Sequence, residues 1–110
     1  MLILSLDDIQ TELEKGDMLP GRAADLLVIV SAKYGRAADE YVKKNAEFAR
    51  VFNRIRNEYK SDTAAERFIE NSELGIEHNY WKYQMKKAEM ISKALQTLVY
   101  LRTAEARTIM

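Results

Sequence analysis

The chain has 110 residues, with 17 basic side chains, 17 acidic side chains and no cysteine. That length suits one domain, and the absence of cysteine excludes a disulfide scaffold, a thiolate zinc site and a cysteine nucleophile. Apolar residues make up 47% of the chain, which is too many for a disordered protein. One proline and four glycines provide few turns, so the composition argues against a many-stranded β fold.

The first predicted element is a short helix over residues 6–14. Ser5 precedes two acidic residues and is a typical N-cap, because its side chain can accept a hydrogen bond from the first helical turn. Ile9 and Leu13 then lie one turn apart and give the helix an apolar face. The segment Lys15-Gly16-Asp17 is predicted to end it.

A long helix is predicted over residues 20–59, starting at Pro20, whose fixed φ suits a first helical turn. Gly35 lies in its middle, but the apolar repeat runs through that position without a slip, which favours one continuous helix. The predicted buried stripe consists of Leu27, Tyr34, Tyr41, Phe48 and Ile55, flanked by Ala24, Ala38, Phe52 and Tyr59 and by Val30, Ala37 and Val51.

Two further helices are predicted over residues 63–70 and 73–107. Ser61 or Asp62 can cap the first of them, and Asn71-Ser72 is predicted to interrupt the chain before the second. The apolar positions of the last helix recur mostly at intervals of seven residues: Trp81, Ala88 and Leu95, with Ile91 and Leu98, beside Leu74, Met85, Ala94 and Leu101.

These elements predict an all-α fold in one domain, 1–110: a short N-terminal helix and a long, coiled-coil-like antiparallel hairpin. The apolar stripes are wider than one hairpin can cover, so some of this surface must meet the short N-terminal helix or another subunit. We expect a homo-oligomer, with a two-fold dimer as the default. Trp81 is the expected anchor, and its alternative role is to fill the core of the chain. The predicted interface residues are Phe48, Phe52, Trp81 and Leu95.

The two charge types are unevenly distributed along the chain. Residues 1–20 contain five acidic and one basic residue, whereas residues 21–60 contain nine basic and five acidic residues. We expect the acidic N-terminus to lie against the basic middle segment, in the same chain or in a neighbouring one. The alternative is that the middle segment meets an acidic partner.

No pattern of catalytic, cofactor-binding or metal-binding residues is present, so we expect a protein that is not an enzyme. The only histidine, His78, has no neighbouring nucleophile and is predicted to lie at the surface or an interface. The glycines form no phosphate-binding loop. Four carboxylates follow helical spacing and are predicted to form a solvated acidic face: Glu66, Glu70, Glu73 and Glu77.

Basic residues alternate with aromatic residues in both long helices, a feature of proteins that bind single-stranded nucleic acid. The aromatic residues at heptad positions are also needed for the core, and the net charge is zero, so we favour a packed core with a solvated face. The residues of the nucleic-acid alternative are Lys43, Lys44, Arg50, Arg54, Lys82, Lys86 and Lys87.

The opening residues have no basic segment and soon become acidic, so no secretory signal is predicted. The longest aliphatic run, Leu26 to Val30, is far too short to cross a bilayer, and we expect no membrane partner. Together with the absence of cysteine, this favours the cytoplasm.

Residues 40–107 have a pattern of helix-forming residues that includes Lys60 to Arg67, Trp81-Lys82, Lys86-Lys87 and Leu101 to Arg107. This part resembles the small helical accessory proteins of tailed bacteriophages and prophages. The resemblance implies a phage origin, a non-enzymatic accessory role and the host cytoplasm as location. We therefore expect an interaction protein that self-associates and binds an unknown protein. The alternatives are a single-strand-binding accessory of phage recombination or replication, and an inhibitor of a host or defence enzyme.

Overall fold

The structure, a computed structural model, describes residues 4–109 and the side chains of residues 4–100. Its helices, in chain order, are α1 (Leu6–Glu14), α2 (Pro20–Ile55), α3 (Asp62–Glu70) and α4 (Glu73–Ile109). A short 3-10 turn, Arg56–Glu58, follows α2, and the described residues contain no strand. The all-α class and the two long helices are thereby confirmed.

Helix α1 begins and ends at signals that the sequence carries. The Ser5 hydroxyl accepts a hydrogen bond from the Asp8 N–H, and the Asp8 carboxylate accepts one from the Ser5 N–H. This reciprocal capping satisfies two backbone donors at the helix start and confirms Ser5 as the N-cap. At the other end, Gly16 has a φ of 78°, in the left-handed region that favours glycine, and its N–H bonds the Leu13 carbonyl.

Helix α2 runs through Gly35 and ends at Ile55, four residues before the predicted end. After the 3-10 turn the backbone is extended at Tyr59, and the Tyr59 ring lies 5.4 Å from the ring of Phe68 on α3. That contact joins the end of the turn to α3, and the heptad pattern of α2 contains no information about it.

Two serines define the starts of the last two helices. The Ser61 hydroxyl accepts a hydrogen bond from the Ala64 N–H and caps α3. Helix α3 ends at Glu70, and Ser72 precedes α4 with its hydroxyl 3.4 Å from the N–H of Gly75. The predicted interruption at Asn71-Ser72 is therefore confirmed.

Contacts between residues divide the chain into two compact units. Unit 1 consists of Met1–Tyr34 and Lys86–Met110, and unit 2 consists of Gly35–Met85. Each unit contains part of α2 and part of α4. The prediction of a single domain over 1–110 stays a prediction.

Unit 1 contains the larger core, in which α1 packs as a third helix beside α2 and α4. Leu26 is fully buried there, although it was not part of the predicted stripe. Ala24 and Tyr34 are exposed, so the predicted stripe was wrong at these two positions. In unit 1 the buried side of α2 packs against both α1 and α4. The buried residues of α2 therefore differ from those of the predicted heptad row. The core consists of Leu6, Ile9, Met18, Ala23, Leu26, Val30, Ala88, Ile91 and Leu95.

Acidic residues of the N-terminal segment form ion pairs within unit 1. Arg22 of α2 donates two hydrogen bonds to the Glu12 carboxylate, at 2.9 and 3.1 Å. Lys87 of α4 forms an ion pair with Asp7. Of these two basic residues, only Arg22 belongs to the basic segment over residues 21–60. The predicted contact between the acidic N-terminus and that segment is therefore present at Arg22.

Unit 2 has a small core at one end, formed by Ile55, Ala65 and Ile69. Along the rest of the unit, no side chain is buried between Ala37 and Ile55 of α2 or between Gly75 and Met85 of α4. The two helices run antiparallel in this unit. Arg36 of α2 contacts Trp81 of α4, whereas Lys44, further along α2, contacts Glu77, which comes earlier on α4. This stretch is consequently two helices joined mainly by aromatic and polar contacts.

Candidate interaction surface

The four predicted interface residues lie in different environments. Leu95 is fully buried in the core of unit 1, so in this structure it offers no surface to a partner. Ala94, beside it on the predicted stripe, is exposed, and the stripe was wrong there too. Phe48 and Phe52 are half-buried against the small core of unit 2.

Trp81 is half-buried in unit 2 and contacts side chains of its own chain. The guanidinium carbon of Arg36 lies 5.6 Å from the centre of its ring, and the Tyr80 ring meets it edge-on at 5.0 Å. The Arg36 contact joins α2 to α4, whereas the Tyr80 contact lies within α4. Replacing Trp81 by alanine removes these intrachain contacts, so this substitution alone does not isolate an interface.

His78 lies between two aromatic rings of α2, a placement that sequence reasoning missed. Its ring stacks on Tyr41 at 5.1 Å and is tilted against Phe48 at 5.4 Å, and its Nε2 lies 3.3 Å from Oδ1 of Asn45. The seven-residue spacing of Tyr41 and Phe48 signalled two rings on one face, but no pattern indicated that a histidine would fill the gap.

A salt bridge beside His78 joins the same two helices. The Lys44 ammonium lies 2.7 Å from the Glu77 carboxylate and 3.9 Å from that of Glu47, and only 20% of the Lys44 side chain is exposed. The hydrogen bond to Glu77 raises the pKa of Lys44 above its ordinary value. The centre of the α2–α4 contact in unit 2 is therefore a polar and aromatic cluster.

His78 gives the stability of the protein a pH dependence of known sign. Burial, aided by the positive charge of Lys82, lowers the pKa of His78 below 6.5 in the folded state. The unfolded chain then binds the proton more readily, so stability decreases as the pH falls through about 6.5. We expect a lower melting temperature at pH 5.5 than at pH 7.5.

His78→Phe keeps an aromatic ring between Tyr41 and Phe48 and cannot titrate. Since the chain has one histidine, this variant should lose most of the pH dependence of the melting temperature between pH 5.5 and 7.5. Thermal melts followed by circular dichroism measure both proteins. An equal slope in the variant and the wild type would contradict the assignment.

Exposed apolar side chains form a row on a solvent-exposed side of α4 in unit 2. Ile76, Tyr80 and Tyr83 are 63%, 53% and 59% exposed, and intervals of four and three residues place them on one side of the helix. We call these three residues the outer row. Exposed apolar groups of this kind are typical of surfaces that contact another macromolecule, and Tyr and Trp are enriched among anchoring residues.

The residues of the nucleic-acid alternative are only partly available. Lys43 lies 3.7 Å from Glu40, Lys44 is bound to Glu77, and Lys87 is bound to Asp7. Lys43 is nevertheless exposed, and so are the remaining four: Arg50, Arg54, Lys82 and Lys86. Of the aromatic platforms, Tyr41 stacks on His78 and Phe48 is tilted against it, so these two rings are already in contact with a side chain of their own chain.

The described residues contain no cluster of three or more acidic, histidine or cysteine side chains with a geometry that could hold a metal ion. The predicted acidic row is divided, because Glu66 and Glu70 lie on α3 whereas Glu73 and Glu77 lie on α4. In the same part of the chain, no helix combines the length and apolar character needed to span a membrane.

Comparison with protein-family models, with curated proteins and with solved structures finds no match to this chain.

Proposed function

We propose that this chain is a non-enzymatic helical interaction protein that binds a second copy of itself through unit 2. The observation that carries the proposal is the absence of buried side chains along most of the α2–α4 contact of that unit, together with the exposed outer row. Helical domains are stabilised by burying apolar faces against a further layer, and a second copy supplies that layer. The accessory role in the host cytoplasm follows the resemblance to phage proteins.

The composition of unit 2 supports a protein partner. Ile76, Tyr80, Trp81 and Arg36 combine aromatic, aliphatic and guanidinium groups, the residue types that are enriched at the centres of protein interfaces. Binding of single-stranded nucleic acid requires several unpaired basic side chains beside aromatic rings that are accessible to the bases. Here the rings that stack face to face are engaged inside the chain, and three of the seven candidate cations are paired.

The double substitution Ile76→Glu and Tyr80→Glu tests this proposal. Glutamate is a good helix former, so the variant should keep the helical circular dichroism spectrum while two charges prevent the contact. We expect the wild type to sediment as a dimer at tens of micromolar and the variant to sediment as a monomer. Val28→Glu is a matched control, because Val28 is an exposed apolar residue of α2 in unit 1.

A wild-type protein that sediments as a monomer at tens of micromolar would overturn the proposed self-association. A double variant that remains a dimer would show that the outer row is not the interface. If instead the wild type retained a labelled single-stranded oligonucleotide, and high salt released it, the nucleic-acid alternative would replace the proposal.

A further inference from the structure

Among the described side chains, two neighbouring arginines of α2, Arg50 and Arg54, have no acidic partner. Arg50 and Arg54 lie one turn apart on α2, are exposed, and line a shallow depression together with Glu47 and Val51. Within residues 4–100 neither guanidinium forms an ion pair, and Glu47 lies near Lys44 instead. We call Arg50 and Arg54 the arginine pair.

The two glutamates of α3 have no basic partner among the described side chains. Glu66 and Glu70 lie one turn apart on α3, are exposed, and form no ion pair within the described side chains. The ion pair at the start of α3 joins Arg56 and Asp62 and leaves both glutamates free. We call Glu66 and Glu70 the acidic pair.

The two pairs belong to oppositely charged segments of unit 2. Residues 36–56 contain six basic and three acidic residues, whereas residues 58–77 contain six acidic and two basic residues. The net charge of unit 2 is thus close to zero, but its charges are segregated. Segregated charges of this kind complement a second copy of the same surface.

We infer that the arginine pair of one copy binds the acidic pair of a second copy. Both pairs have the spacing of one helical turn, about 5–6 Å between Cβ atoms, so two guanidinium groups match two carboxylates. Arginine binds carboxylates in a bidentate geometry, which gives such a contact direction as well as strength. The inference rests on the proposed self-association, and in a two-fold dimer the contact forms twice.

A second copy fits these charges better than nucleic acid does. A phosphate backbone bound to Arg50 and Arg54 would use only one of the two charged pairs. The acidic pair would have no role in such a complex and would repel the strand. A second copy uses both charged pairs at once.

Charge exchange tests the inference. The variants R50E/R54E and E66R/E70R each place like charges opposite each other, so each alone should dimerise at least about tenfold more weakly than the wild type. An equimolar mixture restores opposite charges and should form a heterodimer with nearly wild-type affinity. Sedimentation with one variant fluorescently labelled measures both, and circular dichroism checks that each variant is folded.

K15E/K93E is the matched control, because it changes the net charge by the same amount as R50E/R54E at two exposed residues of unit 1. It should dimerise like the wild type. Dimerisation of the wild type should also weaken between 0.1 and 1 M salt, where the Debye length decreases from about 10 to about 3 Å.

The outcomes separate the two proposals. A wild type that is monomeric overturns both. A wild-type dimer whose R50E/R54E or E66R/E70R variant dimerises normally, or whose variant mixture forms no heterodimer, overturns the inference and leaves the self-association standing. If the wild type retained a labelled single-stranded oligonucleotide and the R50E/R54E variant did not, the two arginines would be assigned to nucleic-acid binding. That result would also overturn the inference.

Discussion

Replacing Gly75 by alanine is expected to lower the free energy of unfolding by about 1–3 kcal/mol, because the added methyl group has no room. A Cβ at this position would lie 2.2 Å from the Ile69 carbonyl oxygen and 2.5 Å from both the Cα and the carbonyl oxygen of Glu70. These are backbone atoms of α3, so no side-chain rotation relieves the overlap. The junction between α3 and α4 must open instead.

Urea unfolding followed by circular dichroism measures this change, and Gly35→Ala is the matched control. Gly35 also lies inside a helix, but an added Cβ would meet no atom within 4 Å. Alanine there should raise the free energy of unfolding by about 0.5–1 kcal/mol, since it restricts the unfolded chain and suits the helix. The close approach at Gly75 would be refuted if both substitutions were stabilising.

Leu95→Ala is expected to lower the free energy of unfolding by about 2–5 kcal/mol, the usual cost of emptying a fully buried leucine site. The Leu95 side chain is completely buried in the core of unit 1. The loss should be the same at all protein concentrations if the residue acts only within its own chain. Unfolding measured at two concentrations tests this expectation.

Met90→Ala provides the control for Leu95. Met90 lies on the same helix and is one of its most exposed apolar residues, so its truncation should change the free energy of unfolding by less than about 0.5 kcal/mol. If Leu95→Ala instead left a stable monomer and abolished a dimer, Leu95 would have the interface role that the sequence suggested.

The sequence by itself predicted the features that depend on short-range signals. Ser5, with an acid three residues later, marked the start of α1, and Gly16 marked its end, because caps are made by neighbours in the chain. The long apolar repeats and the single proline predicted two long helices. The break at Asn71-Ser72 was visible for the same reason.

Features that depend on which elements meet were decided only by the tertiary structure. Leu26 is buried and Ala24 exposed because α1 packs beside α2, and the heptad pattern of α2 contains no information about a third helix. His78 fills the space between Tyr41 and Phe48 because α4 runs antiparallel to α2 in unit 2. The candidate surface was predictable only in part: the sequence indicated that the apolar stripes exceeded one hairpin, but no residue of the outer row was among the predicted interface residues.

Gly75 is the clearest example of a feature that only the tertiary structure decided. In the sequence it is one of four isolated glycines, and nothing near it distinguishes it from Gly35. In the structure the first turn of α4 lies against the last turn of α3 so closely that only a hydrogen atom fits. Local patterns determine where helices form, because capping and periodicity are properties of adjacent residues. The distance between two helices is a property of the packed chain, and it determines which glycine is essential.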